Sequence, residues 1–332
     1  MVENQTPMIP PRSNPELFGH EAAEAVLATA MASGRLHHAW LITGPEGIGK
    51  ATLAYRFARR LLAGPAADGS LALDPAHPAF RRVAAGSHAD LLSVERAVDE
   101  KTKRRRAEIV VEDARAVSTF LHLTAAEGGW RVVIVDGADL MNRSAANALL
   151  KVLEEPPPRA ILLLLAASPG RLLATIRSRC RRLALHRLPD ALVERLLAQA
   201  LPELEDAAGI AALAGGSIGR ALALAQGAGL AGARLAEEAL DGVAPLRAHA
   251  LADEVLKLED GFSLFMTLLR GQMAGRIAGR GRAGQAAPHG RPLAAWVELW
   301  QGLGALQAAT EGVNLEPRQA LLEAMARVRA LA

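Results

Sequence analysis

Short apolar runs alternate with helical patterns along the first part of the chain. Between the runs, apolar residues recur every three or four positions, as from Ala146 to Leu153, which predicts helices that each bury one face. The runs that predict strands lie at residues 39–43, 90–95, 130–136, 161–167 and 182–185. We therefore expect an α/β region with a parallel sheet up to about residue 187.

From Pro189 onward the pattern predicts helices alone. The short helices expected first lie at residues 192–201, 207–214 and 220–226. A linker is expected at 227–232, and then a helical bundle that a flexible, glycine-rich loop interrupts at 271–292. The predicted domains are an α/β domain at 1–187, a small helical domain at 188–232 and an all-α domain at 233–332.

Composition narrows the class of protein. Cys180 is the single cysteine of the 332 residues, so neither a disulfide within the chain nor a four-cysteine zinc site can form. The start lacks the layout of a signal peptide, and no apolar run reaches the roughly 18 residues of a membrane span. We therefore expect a cytoplasmic protein. The net charge of +3 is weak evidence for nucleic-acid binding, and aromatics at 3% offer no obvious base-stacking surface.

A candidate phosphate-binding loop follows the first predicted strand. Its sequence, from residue 44 to residue 50, is Gly-Pro-Glu-Gly-Ile-Gly-Lys. Glycines at 44, 47 and 49 allow the backbone amides to turn inward, and Lys50 would meet the β- and γ-phosphates. The magnesium-binding Ser or Thr that should follow the lysine is Ala51, and Thr52 comes one place late. The loop is either a nucleotide cradle or a turn kept for its shape.

The end of the strand at 130–136 bears on hydrolysis. Asp136 is suited to a magnesium ion, but its neighbour is Gly137, which cannot polarise water as a glutamate would. A general base contributes roughly 10²–10⁴ in rate. Asp139 lies one turn further on, where we expect it to cap a helix near Asn142. With Ala51 and Gly137 in place, the sequence predicts little hydrolysis at this loop.

Four arginines fall within six positions, from Arg177 to Arg182. They could form a solvated basic loop or contact a phosphate backbone. The alternative is an arginine delivered to the γ-phosphate of a neighbouring subunit, which is worth about 10³–10⁵ in rate.

Two segments resemble the bacterial clamp-loader subunits of the AAA+ class. They are residues 144–157, SAANALLKVLEEPP, and 178–180, Ser-Arg-Cys; GSHAD at 86–90 and LLATIRSRC at 172–180 strengthen the match. The resemblance covers residues 18–185 well and extends less clearly to about 226. It implies an AAA+ P-loop domain, then a helical lid domain and a C-terminal helical collar domain that joins subunits.

The resemblance assigns roles to particular residues. Arg179 would be the arginine finger that acts in trans on the ATP site of an adjacent subunit. The phosphate-loop positions would be Gly44, Gly47, Gly49, Lys50 and Thr52, with Asp136 in the magnesium-aspartate place. ATP or ADP could therefore bind without being turned over.

Several positions depart from those of the ATP-hydrolysing motor subunits. The altered positions are Ala51, Gly137, Ser168 and Gly219, and Arg220 stands one place beyond the expected arginine. The resemblance thus favours a non-motor subunit of the DNA polymerase III clamp loader. Its partners would be gamma/tau and delta subunits and, through the complex, the beta sliding clamp and primed DNA. Many such subunits carry a four-cysteine zinc module, but residues 62–90 contain no cysteine, so we expect no zinc.

Two alternative functions remain open at this stage. A gamma/tau-type motor would hydrolyse ATP by itself, and a regulatory module on an inactive ATPase fold would bind DNA in a strongly salt-dependent manner. The basic run at 101–106 is a candidate DNA contact or, more simply, an exposed loop. His20 could line an adenine pocket. Trp296 and Trp300, four residues apart, are expected in the bundle core or at a subunit interface.

Overall fold

The computed structural model describes residues 9–66, 68–97, 106–204, 206–226, 228–258, 260–283, 292–313 and 316–331. The chain forms two compact units, and each is described by itself. The sheet unit comprises Thr6–Leu192 together with Ser217–Gly219. The helical unit comprises Val193–Gly216 and Arg220–Ala332.

The sheet unit contains five parallel strands. They are β1 (Ala39–Thr43), β2 (Leu91–Val94), β3 (Arg131–Asp136), β4 (Ala160–Ala166) and β5 (Arg181–Ala184). Their order is β2-β3-β4-β1-β5, so β1 lies between two strands that come much later in the chain. Ala39 is paired with Leu162 of β4, and Trp40 with Arg181 of β5. β1 and β4 are buried throughout, as expected for strands covered on both faces.

Helices cover both faces of this sheet. The helices of the sheet unit are α1 (Glu21–Ala32), α2 (Lys50–Ala63), α3 (Pro78–Ala84), α4 (Val111–His122), α5 (Arg143–Glu154) and α6 (Ala174–Arg179). α1 and α2 pack on the face that carries Trp40 and Ile42. α4, α5 and α6 pack on the face that carries Leu41 and Leu162. Alternate residues of each strand therefore supply two separate cores.

The chain is helical beyond the sheet. α7 (Asp190–Ala200) crosses from one unit to the other, and the later helices are α8 (Ala207–Ala214), α9 (Ile218–Ala225), α10 (Gly229–Leu240), α11 (Pro245–Leu256), α12 (Gly261–Ala283), α13 (Leu293–Val313) and α14 (Pro317–Leu331). Trp296 is 1% exposed, in agreement with a place in the core. Trp300 lies beneath the Arg270 guanidinium, 4.6 Å from its ring centre, and its indole nitrogen donates to the Arg270 carbonyl.

Two local predictions are wrong. The glycine-rich loop expected from residue 271 is helical as far as Ala283, because α12 continues through Gly271 and Gly275. The linker expected at 227–232 is instead the start of α10 from Gly229 onward. Of the alternatives for the four arginines, the loop does not apply, since Arg177 and Arg179 lie on α6 and the next two begin β5. Residues 101–105 of the basic run, and 284–291 of the expected loop, lie outside the described residues.

The predicted fold class is confirmed. The sheet is parallel, strands alternate with helices as far as β5, and the described residues after it are helical. None of the helices, as far as the chain is described, combines the length and apolar character needed to cross a membrane.

Candidate functional site

The predicted phosphate loop joins β1 to α2. Three of its glycines have positive φ angles, which are 156° at Gly44, 69° at Gly47 and 112° at Gly49. Gly49 is the N-cap of α2 and supplies no side-chain cap, so the first-turn amides lack that partner. A helix N-terminus beyond such a turn favours an anion. The backbone therefore has the shape of a phosphate cradle.

Lys50 is folded back onto this loop. Its ammonium donates to the carbonyl oxygens of Gly44 and Pro45, at 2.8 and 2.7 Å. The residue is 9% exposed, and burial lowers the pKa of its ammonium. The nearby charges of Asp136 and Glu46 oppose that shift. Lys50, which would contact a nucleotide's phosphates, thus already donates hydrogen bonds to two acceptors of its own loop.

A short segment of the same unit lies against the loop; we call residues 217–219 the strap. The Ser217 hydroxyl donates to the Glu46 carbonyl at 2.9 Å, and the Gly219 amide donates to the Gly47 carbonyl at 2.9 Å. A β-carbon added to Gly219 would lie 2.8 Å from the Gly47 Cα. Only glycine lets the two backbones approach this closely, so no larger residue fits at 219 without movement.

The remaining loop carbonyls also accept hydrogen bonds. The Ile48 carbonyl lies 2.8 Å from Nε2 of His20, which is 5% exposed, and the Gly49 carbonyl accepts from the Leu53 amide inside α2. Each carbonyl from Gly44 to Gly49 therefore has a donor within the chain. His20 secures the loop backbone, whereas its expected place in an adenine pocket stays a prediction.

The strand end beside the loop is exposed at Asp136, the last residue of β3. The next residue, Gly137, has a φ of 81°, a conformation that a glutamate would adopt only with strain. Asp139 does not cap a helix as expected. Its carboxylate accepts the amides of Ala167 and Ser168 at the end of β4, and Asn142 caps α5 through the Ala145 amide.

Three residues at the cradle and the neighbouring strand end bear on magnesium binding. Ala51 packs partly buried against the core, and Thr52 is half-buried on α2. Ser168 is exposed, and its amide is held by Asp139. In the described part of the chain, no group of three or more His, Cys, Asp or Glu residues is placed to hold a metal ion.

Arg179 is the last residue of α6 and comes two residues before the start of β5. Its side chain is 36% exposed and lies 2.8 Å from a carboxylate oxygen of Glu154, the last residue of α5. A second nitrogen of the guanidinium donates to the Thr175 carbonyl at 3.0 Å. The group is thus held at two points while part of it faces solvent.

The neighbouring arginines have other contacts. Arg177 donates to the carbonyls of Pro169, Gly170 and Leu172 and so braces the turn before α6. The Arg181 guanidinium lies over the Trp40 ring, 4.8 Å from its centre. Burial raises the pKa of the Cys180 thiol to about 12, so this thiol is protonated and poorly reactive at neutral pH.

A protein-family model identifies the family of this chain. A family model described as DNA polymerase III, delta subunit, matches residues 19–189, just over half of the 332-residue chain. The chain belongs to this family. The match includes the phosphate loop, Asp136 and Arg179, whereas the strap lies beyond it.

The chain is also similar to individual DNA polymerase III subunits. The DNA polymerase III subunit delta' of Pseudomonas aeruginosa is 41% identical over 184 residues, which are 54% of this chain and 53% of that protein. The delta' subunit of Escherichia coli is 37% identical over 203 residues, 60% of this chain and 58% of that protein. The subunit tau of Salmonella typhimurium is 31% identical over 172 residues, 51% of this chain and 25% of that protein. The chain thus spans about half the length of the delta' relatives it matches.

Sequence reasoning missed two parts of the site in this family member. It treated Gly219 as a lost arginine position and overlooked the strap contact of Ser217, which joins residues 171 positions apart. It also passed over Glu154, although this residue stands in the 144–157 run. Arg220 stands one place beyond the expected arginine position, and its guanidinium lies against the backbone of Gly271 in α12.

Proposed function

We propose that this chain is a non-motor, delta-prime-type subunit of the bacterial replicative clamp loader, and that it donates Arg179 to the ATP site of an adjacent subunit. The observation that carries the proposal is the Arg179 side chain, held at the end of α6 and partly open to solvent. Similarity to the delta' subunits of two bacteria supports it. The partners would be gamma/tau and delta subunits, with the beta clamp and primed DNA reached through the complex.

The role of the guanidinium follows from its chemistry. It is planar, permanently charged and rich in donors, so it matches the oxygens of a transferring phosphoryl group. Such an arginine supplied by a neighbour is worth about 10³–10⁵ in rate, or roughly 4–7 kcal/mol of barrier. Arg179 has this chemistry, and Arg177 is occupied by its own turn.

The chain's own loop has a different role in the proposal. The glycines and the α2 N-terminus fit a phosphate group. The phosphates of ATP or ADP, when bound, would balance the positive charge of the Lys50 ammonium. Ala51 offers no oxygen to magnesium, and Gly137 offers no group to orient water. The loop would therefore bind nucleotide without turning it over.

The decisive test uses the reconstituted clamp loader from the same organism. Arg179→Ala should leave the complex assembled, as judged by size-exclusion chromatography, while DNA-stimulated ATP hydrolysis and clamp loading fall. The fold should be kept, because the side chain is partly exposed and its ion pair is at the surface. Normal loading by the assembled variant would show that the finger assignment is wrong.

A gamma/tau-type motor is the second candidate, favoured by the similarity to the tau subunit. It requires the purified chain to hydrolyse ATP by itself. We expect binding of ATP or ADP without turnover when the lone chain is assayed with and without magnesium. Turnover that Lys50→Ala abolishes would favour the motor and contradict the non-motor proposal.

A further inference from the structure

The ion pair between Arg179 and Glu154 joins the ends of two helices. One guanidinium nitrogen of Arg179 lies 2.8 Å from the Glu154 carboxylate, and the other terminal nitrogen donates to the Thr175 carbonyl. These contacts are made on the side chain's own subunit. They define an orientation of the guanidinium before any partner approaches.

Both helix ends are anchored, so this orientation is a property of the fold. α5 is followed by three consecutive prolines, Pro156–Pro158, which end the helix at a fixed place. Leu153, beside Glu154, is 2% exposed, and Ile176 of α6 is fully buried in the same core cluster. The core thus fixes the two helix ends from which the carboxylate and the guanidinium extend.

The pair leaves the guanidinium able to bind a further anion. Arginine has five N–H donors in a planar fork, and the two described contacts use one terminal nitrogen each. Glu154 has a side chain that is 50% exposed, so its charge is well solvated. The ion pair therefore leaves the guanidinium accessible, since both side chains are partly exposed.

We infer that Glu154 is a positioning residue, which holds the Arg179 guanidinium in one orientation so that it meets the γ-phosphate bound by the adjacent subunit. The inference rests on the proposed function of Arg179. A side chain that is already ordered loses less conformational entropy on engagement, and errors of about 1 Å in placement can cost 10²-fold in rate. Glu154 acts through Arg179 and need not touch the nucleotide.

The test is Glu154→Gln in the reconstituted clamp loader, which keeps the size of the side chain and removes its charge. The kcat for DNA-stimulated ATP hydrolysis should fall by about tenfold. The KM for ATP should stay within about twofold, since ATP is bound by the adjacent subunit. Glu155→Gln is the matched control, because Glu155 is the next carboxylate along the chain and is also exposed. It should behave as the unmodified complex, and both variants should keep their thermal midpoint.

A double-mutant cycle separates positioning from a structural effect. In an Arg179→Ala background, Glu154→Gln should have no further effect on kcat, because its action passes through the guanidinium. Additive losses would overturn the inference. An unchanged kcat in the Glu154→Gln variant, alongside a large loss of kcat in the Arg179→Ala variant, would also overturn it. Arg179 would then act without help from Glu154. If Arg179→Ala itself has no effect, the proposed function fails and the inference fails with it.

Discussion

Lys50 and Arg179 are two cations of one sheet unit, but their surroundings differ. Lys50 is 9% exposed, and its ammonium donates hydrogen bonds to two carbonyls of its own loop. The Arg179 side chain is 36% exposed and is held by a carboxylate of the next helix. One cation completes an internal turn, and the other is presented at the surface.

The surroundings of Lys50 show that the backbone conformation of a phosphate loop does not by itself establish activity. The backbone conformation at Gly44, Gly47 and Gly49 is that of a cradle, yet the loop's carbonyls are tied to the strap, His20 and Lys50. A loop can keep its shape because the fold needs it. Hydrolysis needs further oxygen and carboxylate groups that Ala51 and Gly137 do not provide.

The largest effect should follow Arg179→Lys. This substitution gives position 179 a lysine, the residue that the phosphate loop carries at position 50. The charge is kept but the planar fork is lost, so a lysine cannot bind phosphate oxygens in the same bidentate way. In the assembled clamp loader, ATP turnover should fall by about 10²-fold or more at the adjacent site. Single-turnover kinetics would measure the rate of ATP hydrolysis. A loss of less than twofold would contradict the functional difference proposed between Lys50 and Arg179.

A smaller effect is expected from Gly219→Val, which tests whether the strap holds the loop. The new β-carbon would meet the Gly47 backbone at 2.8 Å, so the free energy of unfolding should fall by about 1–3 kcal/mol. Urea denaturation of the lone chain measures the change. Gly129→Val is the matched control, because a β-carbon there has no atom within 4 Å. Equal stability of the two variants would mean that the strap contact does not constrain the loop.

The smallest effect on loading is expected from Lys50→Ala. Clamp loading by the assembled complex should stay within about twofold, since the proposed function places ATP turnover in the adjacent subunit. Nucleotide binding by the lone chain should weaken, because the loop loses its positive charge. Calorimetric titration would measure binding beside the loading assay. A loading defect as large as that of Arg179→Lys would contradict the non-motor proposal and favour a gamma/tau-type motor subunit.

Local pattern predicted the strands of the sheet unit and the phosphate loop with Lys50, whereas the role of Arg179 was implied by the family resemblance. The five strands were found within a residue or so because buried parallel strands are continuous apolar runs. α3 was missed, although Pro78 at its first turn and the His77 cap are sequence signals of a helix start. The helix through Gly271 was lost because glycine predicts interruption, whereas the Arg220 side chain packs against the helix there.

The site's finer contacts could not be predicted from local pattern. The strap joins residues 171 positions apart, and the partner of Arg179 comes from the preceding helix. Neither pairing leaves a periodic signal, since each depends on where the tertiary fold brings a loop or helix end. The positive φ angle of Gly137 likewise shows only in the structure.

The strand order also constrains how the chain is made. β1 occupies an inner place in the sheet, but its two neighbours, β4 and β5, are synthesised more than a hundred residues later. Until residue 166 has left the ribosome, neither edge of β1 has its strand partner, and the edge that pairs with β5 has none until residue 184 follows. Pairings across such sequence distances form slowly and expose aggregation-prone surface meanwhile. The sheet unit is therefore expected to depend on chaperones during translation, and a nascent chain halted before β4 should stay protease-sensitive at β1.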